Sequence, residues 1–327
     1  MKEPVNVTKD QRSVLPVVDK ELVKKTRMKT LAGIVRNKWL YFMMIPGLLY
    51  FIIFKYIPMG GIIISFQDYQ PFLGIANSPW VGFKHFERLF TEPTFFMLLG
   101  NTLLLFALNL FIFFPIPIIL ALMLNEVKNK YFKSGVQTII YIPHFMSWVI
   151  IVSICYVFLA QDSGAINAMI ASVGGEKIPF LTDGTWSRII YILQIIWKEM
   201  GWSTIIFLAA VTAVDPGLYE AAKMDGASRM KQIWHVTLPA IRPIIVIMLI
   251  LKIGNTLDLG FEHVYLLLNS INREAMEIFD TYVYTAGMKN GQLSFSTAVG
   301  LFKGVVGLIL IMGANKLAKK FGEDGLY

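Results

Sequence analysis

The feature that most constrains this chain is a series of apolar stretches, each long enough to cross a lipid bilayer. A helix needs about 20 residues to span ~30 Å of hydrocarbon. Six stretches reach that length, near residues 40–66, 98–124, 137–160, 188–214, 241–268 and 293–316. Backbone groups inside lipid must bond to one another, and a helix satisfies them within one segment. We therefore predict an all-α, polytopic membrane protein with six transmembrane helices.

The composition supports a membrane protein and excludes several other classes. Hydrophobic residues make up 55% of the 327 residues and charged residues only 16%, whereas about a quarter of a typical soluble domain is charged. The single cysteine, Cys155, excludes a disulfide within the chain. Residues 1–38 are polar and lack the short apolar core of a cleaved signal peptide.

The distribution of lysine and arginine predicts the orientation in the membrane. The segments 1–38, 125–136, 215–242 and 316–327 together carry 20 such residues, and the alternate loops carry six. Cytoplasmic loops are the ones enriched in these residues. Both termini and the polar loop 215–243 should therefore be cytoplasmic, with a tail at 1–38, a transmembrane domain at 39–316 and a tail at 317–327. The net charge of +8 then reflects membrane asymmetry and gives no reason to invoke nucleic acid.

The polar loop 215–243 has the punctuation of two short helices. Asp215 can cap the first helix, and Gly226 can adopt the left-handed conformation that ends it. Ser228 can cap the second helix, which we expect Pro239 to end. The pattern predicts a rigid helix–turn–helix that another protein could grip.

Two groups of polar residues interrupt the apolar spans and are candidates for a substrate pathway. Charged side chains in lipid cost about 2.5–3.5 kcal/mol each, so they should face the bundle interior or a wet cavity. One group, in the fourth span, is Lys198, Glu199 and Trp202. The other, which helical spacing would place on one face of the fifth span, is Lys252, Asn255, Thr256 and Leu259, with Glu262 about one turn further. A sugar route is one interpretation of these groups, and an internal Lys–Glu pair that holds two helices together is the other.

The sequence shows no catalytic or metal-binding pattern. It has no phosphate-binding loop of the Gly-x-x-x-x-Gly-Lys-Ser/Thr type, so we expect no nucleotide or other cofactor to bind to this chain. The four histidines, His85, His144, His235 and His263, lie far apart and lack metal-ligand spacing. An ion-coupled secondary transporter would need intramembrane carboxylates, for which only Glu199 and Glu262 are available, and matched repeats.

The polar loop carries a motif that resembles a known family. Residues 220–227 read Glu-Ala-Ala-Lys-Met-Asp-Gly-Ala, and residues 236–239 read Val-Thr-Leu-Pro. This pattern resembles the EAA loop of bacterial ABC importer permeases. Further segments resemble the permeases of oligosaccharide and polysaccharide importers of the lipoprotein, maltose and alginate types, at 54–59, 78–82, 122–127, 141–145 and 297–302.

The resemblance implies a type I importer in the bacterial cytoplasmic membrane. A second permease, in a heterodimer, would complete the pore, two ATPase subunits would use ATP and Mg²⁺, and an extracytoplasmic binding protein would deliver an oligo- or polysaccharide, with acidic alginate as one example. Import of a peptide or an amino acid is the alternative within the class. The residues that the resemblance assigns to ATPase coupling are Glu220, Ala221, Ala222, Asp225, Gly226, Leu238 and Pro239.

Overall fold

The computed structural model describes residues 36–322 and 325–326, and its regular elements are helices. The predicted tail 1–38 lies outside these residues except for its last three. The main helices are α1 (Lys38–Phe66), α2 (Lys84–Thr91), α3 (Thr94–Glu126), α4 (Lys130–Phe145), α5 (Trp148–Leu159), α6 (Ala165–Ser172), α7 (Gly184–Thr212), α8 (Pro216–Met224), α9 (Arg229–Gly254), α10 (Phe261–Leu267), α11 (Phe279–Tyr284) and α12 (Leu293–Lys320). The contacts divide the chain into one unit that ends at Gly61 and another that begins at Ile62. The candidate site described below lies in the second unit.

The structure has five of the six predicted membrane-spanning helices as continuous helices, and it differs from the prediction at the third and fifth spans. Within the described residues, α1, α3, α7, α9 and α12 are long and apolar enough to cross a bilayer. A sixth span exists if α4 and α5 are counted together, although the two are bent by 97° at a short break. Pro143 lies in the last turn before this break, and Ser147 caps α5 by accepting a hydrogen bond from the Ile150 N–H at 3.4 Å. The third predicted span, 137–160, is therefore not one continuous helix: it is either a broken span or a re-entrant loop.

The fifth predicted span, 241–268, was wrong at both ends. Helix α9 begins at Arg229 and ends at Gly254, after which the chain turns through Gly260 (φ +89°) into α10. Glycine tolerates this φ because it has no Cβ. Of the second polar group, only Lys252 lies within α9, so the predicted face that it shares with Asn255, Thr256 and Leu259 does not exist. Glu262 lies in the separate helix α10.

Three prolines inside the spans are preceded by widened π-turns. Such turns occur at Ile52–Tyr56, Asn109–Phe113 and Ile233–Thr237, each ending two residues before a proline (Pro58, Pro115 and Pro239). Proline has no N–H and clashes with the carbonyl four residues earlier, and a turn closed over five residues changes that register. Pro239 therefore does not end the helix, contrary to the prediction, since α9 runs through it.

The core of the second unit is built mainly around α7. Near its first half, Tyr191 and Ile195 pack with Phe113 of α3 and Val264 of α10. Near its second half, Phe207 and Leu208 pack with Ala121 and Leu124 of α3. A third cluster joins α2, α11 and α12 through Leu89, Phe279 and Phe295. Helix α7 is thus the central element against which the polar residues of the site are arranged.

Candidate functional site

The polar loop folds into the predicted capped helix. The Asp215 carboxylate accepts a hydrogen bond from the Gly217 N–H at 2.9 Å at the start of α8. At the other end Gly226 has φ +72°, and the Ala227 N–H donates to the Ala222 carbonyl at 2.9 Å. This hydrogen bond and the left-handed glycine form a helix C-cap of the Schellman type. The expectations for Asp215 and Gly226 are confirmed.

The loop is also tied to the helices beneath it. The Ser228 hydroxyl caps the start of α9 by accepting from the Lys231 N–H at 3.5 Å, as predicted. The Arg229 guanidinium pairs with the Glu126 carboxylate, at the end of α3, at 2.5 Å. The Tyr219 hydroxyl lies 3.0 Å from the Thr237 hydroxyl. These links hold α8 against α9 and hold the start of α9 against the end of α3.

The residues that the sequence assigns to coupling do not all lie together on α8. Glu220, Ala221, Asp225 and Gly226 are exposed there, and Ala222 is half-buried. Leu238 and Pro239 instead lie within α9, immediately after its π-turn. Glu220 and Ala221 therefore share the exposed surface of α8 with Leu218 and Met224, Asp225 and Gly226 form the exposed turn after it, and Leu238 and Pro239 lie in the helix that follows.

Lys198, Glu199 and Trp202 meet the break between α4 and α5. Lys198 is only 6% exposed, and its ammonium donates to the backbone carbonyls of His144 at 2.6 Å and Met146 at 2.7 Å. The His144 Nδ1 donates to the Glu199 carboxylate at 2.9 Å, and its ring stacks on Trp202 with centroids 4.4 Å apart. Lys198 thus satisfies two backbone carbonyls at the break, and Glu199 and Trp202 contact the His144 side chain there. We call this set the helix-break region.

A close backbone approach reinforces this junction. A Cβ at Gly201 would lie 2.0 Å from the Ile140 carbonyl oxygen of α4. Only glycine allows the two helices to approach this closely at that point. Lys198 also lies 5.3 Å from the centroid of the Trp148 ring, at the start of α5. The helices are therefore closely packed around Gly201, and the Lys198 ammonium already has two hydrogen-bond acceptors.

Lys252 lies in a different setting, at the wall of a cavity of about 430 Å³. Its ammonium donates to the Asn109 Oδ1 at 3.2 Å and lies 5.2 Å from the centroid of Phe113. The cavity is lined by Phe106, Asn109, Lys252, Asn255, Asp258, Leu259 and Gly260. We call it the Lys252 cavity. It offers an ammonium group, amides, a carboxylate and an aromatic ring to a ligand.

A chain of buried polar and aromatic contacts joins the two regions. The Asn109 amide donates to the Tyr191 hydroxyl at 2.9 Å. The ring of His263 is stacked on Tyr191 (centroids 4.8 Å apart) and on Trp148 (3.8 Å). The His263 Nε2 donates to the Gln194 carbonyl at 2.6 Å. Contacts therefore run from the Lys252 cavity across α7 to the helix-break region.

The structure thus distributes the predicted pathway residues among several places. Lys252, Asn255 and Leu259 line the cavity, and Lys198, Glu199 and Trp202 belong to the helix-break region. Thr256 is buried, and its hydroxyl bonds to the Ile253 carbonyl, whereas Glu262 is exposed on α10.

Several residues of this network have no site role predicted from the sequence: Asn109, His144, Tyr191, Gln194 and His263. One signal was available, because Tyr191, Gln194 and Lys198 follow at spacings of three and four residues and so share one face of α7. The two histidines were considered only as metal ligands. Within the residues that the structure describes, no cluster of three or more His, Cys, Asp or Glu side chains could hold a metal ion.

Comparison with known proteins defines the class to which this fold and site belong. The family described as "Binding-protein-dependent transport system inner membrane component" matches residues 113–321, which is more than half of the chain and includes α7, the polar loop and α9. The chain therefore belongs to this family of inner-membrane permeases, and it is a transport subunit rather than a catalyst.

Two relatives from Bacillus subtilis (strain 168) cover almost the whole chain. The polygalacturonan/rhamnogalacturonan transport system permease protein YteP is 67% identical over 95% of this chain and 98% of its own length. Protein LplB is 57% identical over 91% of this chain and 93% of its own. The arabinooligosaccharides transport system permease protein AraP is more distant, at 28% identity over 87% of this chain and 90% of its own.

Solved structures of a bacterial ABC transporter show the same fold. A chain of the transporter involved in the import of the acidic polysaccharide alginate matches with a TM-score of 0.82 and 39% identity, over 89% of this chain and 99% of that chain. A chain of the alginate transporter in complex with a periplasmic protein bound to an alginate pentasaccharide matches with a TM-score of 0.82 and 38% identity, over 90% and 99%. The all-α fold of an ABC importer permease is thereby confirmed, as is the family that the EAA motif indicated.

Proposed function

We propose that this chain is one permease subunit of an ATP-driven importer for acidic saccharides, of the uronate-rich kind found in pectin. The observation that carries the proposal is the 67% identity, over nearly full length, to a permease named for polygalacturonan and rhamnogalacturonan. The alginate importer, whose substrate is also an acidic polysaccharide, has the same fold. Import of peptides or amino acids is not favoured, since the relatives described above are named for saccharides where they name a substrate.

The chemistry of the Lys252 cavity suits such a ligand. A uronate residue carries a carboxylate, several hydroxyls and an apolar ring face. Lys252 can bind the carboxylate, Asn109 and Asn255 can bond to hydroxyls, and Phe106 can contact the ring face. A hydrogen bond between two charged groups is stronger than one between neutral groups. The ammonium group therefore favours acidic saccharides over neutral ones.

Coupling to ATP hydrolysis would proceed through α8. In the proposed complex, two cytoplasmic ATPase subunits use ATP and Mg²⁺, and each permease places its exposed α8 surface against one of them. Glu220 and Asp225 would contact that subunit, and the C-cap at Gly226 keeps the helix rigid. A second permease would complete the pore, and an extracytoplasmic protein would deliver the saccharide. Both termini would then be cytoplasmic.

Because α8 follows directly after α7, a movement of α8 would reach both polar regions. The two helices are joined by the three residues 213–215, and Asp215 caps α8. Packed helical bundles switch between discrete arrangements rather than deforming continuously. ATP binding would thus change which side of the membrane can reach the Lys252 cavity.

The coupling role is tested with two substitutions in the complete complex. Glu220→Ala removes the exposed carboxylate, and Gly226→Ala places a side chain at φ +72°, which costs about 1–2 kcal/mol. We expect both to lower transport-coupled ATPase activity several-fold while membrane insertion is retained. Matched controls are Glu176→Ala, at an exposed glutamate, and Gly135→Ala, at an exposed helical glycine with no atom near its would-be Cβ. Wild-type transport-coupled ATPase activity in both Glu220→Ala and Gly226→Ala would refute the role of α8.

The substrate class is tested by reconstituting the complex in liposomes with its binding protein. Uptake of a short oligogalacturonate is compared with uptake of the same oligosaccharide after its carboxyls are reduced to alcohols. We expect a kcat/KM at least about tenfold higher for the acid, the size of one charged hydrogen bond. Equal uptake of both sugars, or uptake of peptides instead, would contradict the proposal. ATP-independent uptake driven by an ion gradient would indicate a secondary transporter.

A further inference from the structure

The flexible side chain of Lys252 is held in one position by two contacts. A lysine has four rotatable bonds and loses much rotamer freedom when it is fixed, and near lipid it tends to extend towards water. Here its ammonium is held by one neutral partner, the Asn109 Oδ1, and lies over the ring of Phe113. Asn109 and Phe113 are the first and last residues of the same π-turn in α3. The widened turn thus supplies both contacts to the ammonium.

The orientation of the Asn109 amide is fixed by two further contacts. Its Nδ2 donates to the Tyr191 hydroxyl at 2.9 Å and to the Leu105 carbonyl at 3.3 Å. The Leu105 carbonyl can only accept, so the Nδ2 faces it and the Oδ1 points to Lys252. A flipped amide would present its NH₂ group to the ammonium, with no acceptor for the lysine. Asn109 is 4% exposed, so solvent cannot readily replace these partners.

Tyr191 is fixed in turn by its surroundings. It is fully buried, and its ring stacks on His263, which stacks on Trp148. The hydroxyl therefore has one position relative to α3. Nothing in the sequence pattern assigned a role to Tyr191 or Asn109.

The direct hydrogen-bond partner of Lys252 is neutral, and the Glu199 carboxylate acts on the ammonium only through space, so no carboxylate occupies the ligand side of the lysine by a direct bond. The contrast within the same chain is Lys303, whose ammonium is paired with the Asp280 carboxylate. A carboxylate partner would offset the positive charge that an acidic saccharide needs. An amide positions the ammonium and leaves that charge in place.

We propose that Asn109 and Tyr191 are positioning residues that hold the Lys252 ammonium at the cavity wall and so set the preference for carboxylated saccharides. This inference rests on the proposed function, since it concerns the same cavity. Neither residue needs to touch the sugar carboxylate. Their effect passes through the lysine.

The experiment measures the ratio of kcat/KM for the oligogalacturonate to that for its carboxyl-reduced form, in the complete complex. Asn109→Leu removes the acceptor, and we expect the ratio to fall about tenfold through a higher KM for the acid, as for loss of a hydrogen bond to a charged group. Tyr191→Phe keeps the ring stack but leaves the Asn109 amide held on its Nδ2 side by the 3.3 Å bond to Leu105 alone, and the expected fall is about threefold. Asn109→Asp places a negative charge beside the ammonium and should lower the ratio further than Asn109→Leu.

A double substitution separates positioning from a general structural role. If Asn109 acts through Lys252, then Asn109→Leu added to Lys252→Met should change the ratio by less than about twofold, because coupled residues are not additive. Asn77→Leu, at an exposed asparagine that also bonds to a backbone carbonyl, and Tyr131→Phe, at an exposed tyrosine, are matched controls.

The outcomes are distinguishable. A wild-type preference that persists in Asn109→Leu and Tyr191→Phe overturns the inference and leaves the proposed function intact. Full additivity with Lys252→Met overturns it as well. A wild-type ratio near one refutes the proposed function and removes the basis of the inference. Should Asn109→Leu fail to assemble, Tyr191→Phe decides, since it deletes one buried oxygen and no ring contact.

Discussion

Two intramembrane lysines that look alike in sequence lie in opposite environments in the structure. Lys198 is 6% exposed, and its ammonium is satisfied by two backbone carbonyls at the break between α4 and α5. Lys252 has a neutral side-chain acceptor and borders a cavity of about 430 Å³. The contacts of Lys198 are those of a structural tie between helices, whereas the cavity beside Lys252 is compatible with a ligand pathway. An intramembrane charge therefore has to be interpreted through its partners.

The largest effect is expected from Lys198→Met. It removes the donor from the His144 and Met146 carbonyls, and each buried polar group left without a partner costs about 1–3 kcal/mol. We expect a large loss of folded, detergent-stable complex, measured by fluorescence-detected size-exclusion chromatography during a heat ramp. The acid-to-neutral uptake ratio of the remaining folded protein should not change. A stable variant with an altered ratio would reverse the assignment of the two lysines.

Gly201→Ala tests the same region through sterics alone. Its new Cβ would lie 2.0 Å from the Ile140 carbonyl oxygen, and overpacking of this kind costs about 1–3 kcal/mol. The apparent melting temperature of the complex should fall, while Gly135→Ala on α4 should be neutral or slightly stabilising. Equal melting temperatures for the two variants would show that α7 and α4 are not held as closely as described.

Lys252→Met should give the converse result. Loss of the ammonium from the cavity wall is expected to lower the acid-to-neutral ratio of kcat/KM by about tenfold, the value of a typical charged hydrogen bond. Folding should be affected much less than in Lys198→Met, as thermal stability measured in parallel would show. Lys252→Arg, which keeps the charge, should retain part of the preference. If the ratio is insensitive to Lys252→Met, this cavity does not select the substrate.

The smallest effect is expected from Asp258→Asn. The Asp258 carboxylate lines the same cavity and would repel an acidic ligand. Its neutralisation should raise the acid-to-neutral ratio of kcat/KM two- to threefold, in line with the modest size of solvent-accessible charge interactions. The measurement is the same pair of uptake assays, at low and at high salt, because salt screens the effect. A fall in the ratio would indicate that Asp258 bonds to the sugar hydroxyls instead.

Much of the fold was predictable because bilayer thickness and capping are local constraints. Span length identified the five long apolar helices and the region of the bent pair α4–α5, and Asp215, Gly226 and Ser228 placed the caps of the polar loop where the structure has them. The break after Pro143 and the continuation of α9 through Pro239 were not predictable in the same way. Proline signals a disturbance, and whether the chain breaks or forms a π-turn depends on neighbouring helices such as α7.

The site was predictable only in part, because its geometry arises between distant segments. The motif at 220–227 marked α8, whose coupling role stays a prediction. The regular spacing of Lys252, Asn255 and Leu259 predicts a helical face, but the helix ends at Gly254. Asn255 and Leu259 reach the cavity through a turn instead. For residues on other helices, such as Asn109 and His144, the local sequence does not predict which distant side chains they contact.

The uninterrupted course of α7 has one more consequence. Its 29 residues make a rod about 43 Å long at 1.5 Å per residue, with Tyr191, Gln194, Lys198 and Trp202 along one stripe. Twisting this rod would strain every contact on the stripe at once, so intermediate angles would be unfavourable. The helix would then have few stable orientations, so a displacement of one end would move the other end as well.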